Sequence, residues 1–301
     1  MVLFFRSTLQ EIKKIVTSAG FWLAIIFSLI LMMTYGIYTD NTGKSYNFIS
    51  VIFNIDSSKY YEMGITRQNV FVTLTHSSLM MYAAAISALC FTGCLCQEKK
   101  NNVKRYNIFR CGKNCSVISK ATAAFIMSGI AFVISAVILL IFVCTLFPDV
   151  SEGERYEMNV LMYFTNADGS TTSIYNMFGM NSIYFLQIAG MFLYGSFCGS
   201  IAFIVASFCS SIYLCVCLPF FIGYVQVSLC NSIRSSYWET GKYESIYNFV
   251  NEYLDTGMYT FFWRQNVKTW WILLSVLIVW IVAIGIYRFR LQCQTDCGGE
   301  C

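Results

Sequence analysis

Six stretches of the chain, 21–38, 78–96, 121–147, 182–208, 211–230 and 270–287, are long, apolar and nearly free of charge. A bilayer core of ~30 Å takes roughly 20 apolar residues per helical span. Inside hydrocarbon each backbone amide must be bonded within its own helix or within a closed barrel. A barrel would show short segments of alternating polarity, and these runs do not alternate. The expected fold class is therefore an all-α membrane protein with six transmembrane helices. Composition agrees, with 57% hydrophobic and 12% charged residues against roughly 25% charge in a soluble domain. Residues 1–301 read as a single transmembrane domain, because no remaining segment is large enough to fold alone. The start of the second run is blurred by polar residues 73–78, which include His76, the single histidine. No small-residue cleavage pattern follows the first run, so it is expected to remain as an anchor.

Lys and Arg near span ends favour the cytoplasmic side. With the amino terminus inside, segments 1–20, 97–120 and 288–301 hold twelve of the twenty basic residues and four of the sixteen acidic ones. Both ends are therefore expected in the cytoplasm. External segments 39–77, 148–181 and 231–269 follow, the second acidic through Asp149, Glu152, Glu154, Glu157 and Asp168. Within the third, Tyr243, Ile246, Tyr247, Val250 and Leu254 form a helical stripe. This predicts a short helix before the last span, lying on the outer leaflet or packed on the domain. The fourth and fifth runs are joined near Ser210 by a few residues, which predicts adjacent antiparallel spans.

Fourteen cysteines are present. Cys144 and Cys230 lie near outer span ends, and none falls in the body of an external segment, so an exported disulfide framework is not expected. Cys94, Cys96, Cys111 and Cys115 flank the cytoplasmic loop, and Cys293, Cys297 and Cys301 end the chain. Their spacing lacks the close pairs of structural zinc sites. Reduced thiols are expected, with no metal and no cofactor in this chain.

The amino-terminal segment places Phe5, Leu9, Ile12 and Val16 on one helical face, with Arg6, Gln10, Lys13 and Lys14 largely opposite. Such a helix lies in the cytoplasmic interface, apolar side in lipid, or extends the first span into water; the interfacial arrangement is favoured. The loop 97–120, QEKKNNVKRYNIFRCGKNCSVISK, is basic yet carries Val103, Tyr106, Ile108 and Phe109. Charges alone orient a chain. Apolar anchors among them suit a docking surface for a cytoplasmic protein, while no nucleic-acid module is formed. Gly195 and Gly199 make a G-x-x-x-G pair beside Gly190 that permits close helix approach, within the chain or at a dimer seam. Pro219 removes a backbone bond in the fifth run, where a kink is expected.

An interfacial amino-terminal helix, six spans, a basic loop after the second and a large external segment before the sixth resemble the membrane (permease) subunit of type-2 ABC transporters. The loop adds to the likeness: Glu98 opens it, Arg110-Cys111-Gly112-Lys113 forms its turn, and Ser119-Lys120 stands at the foot of the third span. The resemblance implies that the loop and the amino-terminal helix press on a separate ATPase subunit. It makes Lys104, Arg105, Tyr106, Phe109, Arg110 and Lys113 candidate coupling contacts. It also implies a homo- or heterodimer of permeases. No G-x-x-x-x-G-K-[ST] loop occurs here, so ATP would be bound by the partner.

The expectation is thus a multi-pass protein of the plasma membrane, in a bacterium the cytoplasmic membrane. It would serve as the permease of an ATP-driven exporter for an amphipathic or hydrophobic cargo such as a peptide, drug or lipid. Near-absence of ionisable residues in the runs argues against ion-driven transport. Enzyme chemistry is disfavoured, since His76 has no H-E-x-x-H or triad context. The competing reading is a non-transporting membrane scaffold or sensor.

Overall fold

The structure, a computed structural model, describes residues 2–39, 43–60, 63–76, 79–100, 111–149, 179, 181–209, 211–240, 244–255, 259–260 and 268–296. Helix α1 (Val2–Val16) meets α2 (Ala19–Thr34) at a bend of 62°. Ser18 makes the corner: its hydroxyl donates to the Ile15 carbonyl at 2.7 Å and accepts from the Phe21 amide, capping α2 in place of a continued helical bond. The first apolar run is not helical throughout. After Thr34 the chain leaves α2 and forms β1 (Gly36–Thr39), paired antiparallel with β2 (Ser45–Asn47). Ile37, Tyr38 and Thr39 favour the pleated form, and Tyr38 meets Tyr46 across the hairpin. Asn47 then caps α3 (Phe48–Asn54) by accepting from the Ser50 amide at 2.8 Å.

Helix α4 (Arg67–His76) is buried on most sides and meets α5 (Leu79–Lys100) at 75°. There follow α6 (Lys113–Leu146), α7 (Ser182–Phe208), α8 (Ile212–Thr240), α9 (Glu244–Phe249) with a π-helical turn Val250–Leu254, and α10 (Thr269–Asp296). Four of these, α6, α7, α8 and α10, are long and apolar enough to cross a membrane, and six spans result when each bent pair counts as one. The chain is an all-α, multi-pass membrane protein, with one β-hairpin among the described residues.

Several helices outrun the apolar stretches that predict them. Helix α6 begins eight residues before position 121, and Ser116, Val117, Ser119 and Lys120 in that extension are buried. Packing against α1 lengthens the helix there, where apolarity alone would end it. Pro219 stands inside α8 without terminating it. The helical stripe before the last span is realised in part: Val250 is buried, Tyr247 stacks on Tyr237 of α8, and Ile246 and Leu254 are exposed, while Tyr243 lies outside the described residues.

The core is the α6–α7 seam, flanked by α5. Gly195 and Gly199 face α6 of the same chain. A Cβ on Gly195 would lie 2.7 Å from the Phe132 ring and 3.0 Å from the Ser128 carbonyl; one on Gly199 would meet Ser128 and come within 3.3 Å of the Ala124 carbonyl. Gly129 returns the fit from α6, against Phe192 and Ser196. Hydroxyls stitch the neighbours: Ser87 of α5 donates to the Gly195 carbonyl, and Ser135 of α6 to the Ile25 carbonyl of α2. The outer faces of α2, α8 and α10 remain apolar and exposed, through Trp22, Ile26 and Ile30, through Phe221, Val225 and Leu229, and through Leu277 and Ile281. These are faces for lipid.

Candidate functional site

The apolar part of α5 stops at Cys96, and charge begins at Glu98, two residues before the helix ends. In water such a terminus would fray. Here Glu98, within that terminus, is buried against α1 and α6. The Glu98 carboxylate receives the Lys120 ammonium from α6 on one oxygen and the Lys14 ammonium from α1 on the other, the latter at 2.7 Å. Lys14 is also 2.9 Å from Glu11 in its own helix. Glu98 is 8% and Lys120 4% exposed, so both charges have left bulk water and each depends on the other. Tyr287 of α10 stands close enough to Lys120 to interact with its charge. A cavity of about 10 Å³ lies beside the pair, between Glu11, Cys94 and Phe203, room for about one water.

The electrostatics agree with this geometry. Burial alone would raise the Glu98 pKa, but the Lys120 cation and then Lys14 reverse it, holding the carboxyl below its ordinary 4.5. Burial alone would lower the Lys14 pKa, but hydrogen bonds to Glu98 and Glu11 lift it above 10.5. Both groups are charged at neutral pH.

Lys99, the next residue, points elsewhere. Its ammonium donates to the carbonyls of Ala206, Ser207 and Cys209, where α7 ends. Those carbonyls carry the negative end of the α7 dipole, so a cation there caps the helix. The last turn of α5 is thus tied to α1 and α6 through one residue and to α7 through its neighbour. Cys96, one turn earlier, has its sulfur 4.0 Å from that of Cys215 in α8.

Helix α1 divides into three sectors, each about a third of its circumference at 100° per residue. Ser7, Thr8 and Ile15 are buried against the bundle. Phe5 and Leu9, with Ile12 and Val16 partly covered, form the apolar sector facing outward. Arg6, Gln10 and Lys13 form the exposed polar sector. Trp22 just beyond the corner donates its indole N–H to the Val16 carbonyl at 3.0 Å.

Of the residues singled out for the loop, Lys113 opens α6 and is half-buried. Gly112 before it has φ 79° and ψ 151°, backbone space reserved essentially for glycine. Lys104, Arg105, Tyr106, Phe109 and Arg110 lie outside the described residues. Glu98 and Lys120, which open and close the loop in the sequence, meet. Lys14 and Lys99 were not singled out. The i,i+3 spacing of Glu11 and Lys14 is the local signal for the first, and nothing in the sequence marks the second.

A second polar group lies toward the other end of the bundle. Gln187 of α7 donates to the Thr75 hydroxyl of α4 at 3.0 Å, His76 lies 3.2 Å from the Thr260 hydroxyl, and Tyr259 is bonded to Ser275 of α10 at 2.7 Å. Thr260 passes so close to α7 that a Cβ on Gly190 would overlap its backbone, at 2.9 Å from its Cα. Arg67, at the start of α4, pairs with Asp149 and donates to the Phe147 carbonyl.

No protein-family model matches the chain, and no curated protein matches it.

Proposed function

We propose that this chain is the membrane subunit of an ATP-driven exporter of the type-2 ABC kind, working with a separate cytoplasmic ATPase. In this reading the chain spans the membrane six times with both ends in the cytoplasm, and its loop 97–120 faces the ATPase. The observation that carries the reading is the Glu98 cluster. It gathers α1, the last turn of α5 and the start of α6 at the two roots of the basic loop 97–120, which also carries Tyr106 and Phe109. A push on such a loop would not be lost in a slack hinge, because its roots are joined by buried charges that separate only at a cost of several kcal/mol. Movement would pass to α6, and through the close glycine seam to α7. A two-state bundle moved in this way can alternate access to the two sides.

The lipid-facing apolar surfaces and the scarcity of charge within the spans suit an amphipathic or hydrophobic cargo. The sequence lacks a phosphate-binding loop of its own, so hydrolysis is assigned to the partner. The test is purification through this chain, in mild detergent, from cells that express it natively. A nucleotide-hydrolysing subunit is expected to co-purify, and Lys104→Glu, Arg105→Glu and Arg110→Glu together are expected to release it. Co-purification with a kinase or with no ATPase at all would favour the scaffold or sensor reading. Labelling of the loop from the external side of intact cells would overturn the orientation.

A further inference from the structure

We infer that Cys96 of α5 and Cys215 of α8 form a reversible disulfide when hydrogen peroxide reaches them, fastening the end of α5 to the first turn of α8. Their sulfurs are 4.0 Å apart although the residues stand 119 positions apart in the chain, a proximity that no spacing in the sequence displays. Close packing of the two helices produces it. A Cβ on Gly223 of α8 would lie 3.7 Å from the Ala84 methyl of α5, and Tyr82 stacks on Phe220; small residues let helices approach in this way. Bonded sulfurs stand about 2.0 Å apart, so the gap to close is about 2 Å. The neighbouring thiols of α5 point elsewhere. Cys94 donates to the Lys14 carbonyl of α1 at 3.5 Å, and Cys90 to the Ile86 carbonyl of its own helix at 3.6 Å.

The surroundings favour the reaction on two counts. The thiolate is the reacting form of cysteine, and a nearby cation favours it. The Lys99 ammonium stands close enough to Cys96, Cys209 and Cys215 to interact with their charge, and its bonds to the Ala206 and Cys209 carbonyls hold it there. Glu98, the adjacent acid, is engaged by Lys14 and Lys120. Both thiols are buried, so access depends on the first turn of α8. There the Cys215 amide bonds to the Ser211 carbonyl at 3.1 Å, and Ile212, Tyr213 and Leu214 are exposed. Terminal turns open at the least cost in free energy, and the peroxide is little larger than water. The Cys215 thiolate attacks one peroxide oxygen: an S–O bond forms, the O–O bond breaks, and the departing hydroxide leaves as water with the Cys215 proton. Cys96 then attacks the sulfenic sulfur: the S–S bond forms, the S–O bond breaks, and the second hydroxide leaves as water with the Cys96 proton. Two thiols are oxidised by two electrons in all, and one peroxide is reduced to two waters. Exchange with a thiol such as glutathione reverses the link.

Peptide mapping of the full chain in native membranes tests the inference. The membranes are treated with hydrogen peroxide, the remaining thiols are blocked with N-ethylmaleimide, and the protein is digested and analysed by mass spectrometry without reductant. The wild type is expected to yield a peptide pair joined through Cys96 and Cys215, and treatment with reduced glutathione before blocking is expected to return both thiols. Cys96→Ser and Cys215→Ser, tested separately so that one poorly folding variant does not decide the matter, are each expected to lose the pair completely. Cys217→Ser, at an exposed position two residues on, is expected to keep it. Recovery of Cys96 and Cys215 as maleimide adducts after peroxide would show that the thiols merely touch, and would overturn the proposal. So would Cys215 linked to Cys209 or Cys217 in place of Cys96.

Discussion

Glu98 and Lys120 lie 22 positions apart, on the two sides of the basic loop, and meet as a buried ion pair. Glu98 is shared with Lys14, so a single carboxylate joins three helices. A buried pair of this sort adds little stability over an apolar replacement, but removing one member strands the other.

Glu98→Gln should therefore destabilise the protein by about 3–5 kcal/mol, since it leaves Lys120 buried without a counter-charge. Lys120→Met should do less, because Lys14 stays on Glu98. The double change Glu98→Leu with Lys120→Met should recover much of the loss. Thermal melts in one detergent order the variants; a double variant as unstable as Glu98→Gln would show that packing, not charge, governs this corner.

The same carboxylate sets a pH dependence. Its folded pKa is below the ordinary 4.5, so the unfolded chain takes up the proton first. The stabilisation is complete above pH 4.5 and declines as pH falls through the lower folded value. Melting temperature should drop in this acid window, and the Glu98→Gln profile should lack that component of the drop. Identical slopes for the two proteins would remove Glu98 as the titrating group.

Gly195→Ala and Gly199→Ala insert a methyl where Phe132, Ser128 and Ala124 already fill the space. Overpacking typically costs about 1–3 kcal/mol. Gly285, with nothing within 4 Å of a built Cβ, is the control, and Gly285→Ala should be neutral or slightly stabilising through helix propensity. Melting all three variants side by side decides whether the α6–α7 seam is as tight as its geometry states.

Lys99→Met removes the cation from the α7 terminus while preserving length and apolar contact. The loss should be about 1.5–3 kcal/mol, the range for hydrogen bonds that involve a charged group. It should show as faster hydrogen exchange in the last turn of α7 and the first of α8, with the α6–α7 seam unaffected.

The broad architecture was legible because bilayer thickness imposes a length on every apolar run, and 182–208 and 270–287 fall within one long helix each, while 121–147 and 211–230 do so to within one residue. Helix ends were less legible. Ile37 and Tyr38 are as apolar as the residues before them, yet pair in a hairpin, because hydropathy does not distinguish a buried helix turn from a strand beside a bundle. Glu98 and Lys120 stood out as the opening and closing residues of the loop. That they touch depends on α5 and α6 running side by side, which no local spacing records. Lys14 reads as one of several solvated cations on a polar face. Only the tertiary fold turns it inward, since the sector of α1 that docks is Ser7, Thr8 and Ile15 and not the apolar stripe of Phe5 and Leu9.

Adjacent positions on α5 hold different neighbours: Glu98 grips α1 and α6, Lys99 grips the end of α7. Neighbouring side chains on a helix diverge by about 100°, so spinning α5 about its long axis would tear at least one of these attachments. Twist is thereby withheld from this end of the molecule. A force arriving through the strand of chain between the two helices would have to lean α1, α5, α6 and the foot of α7 over together, as one stiff block.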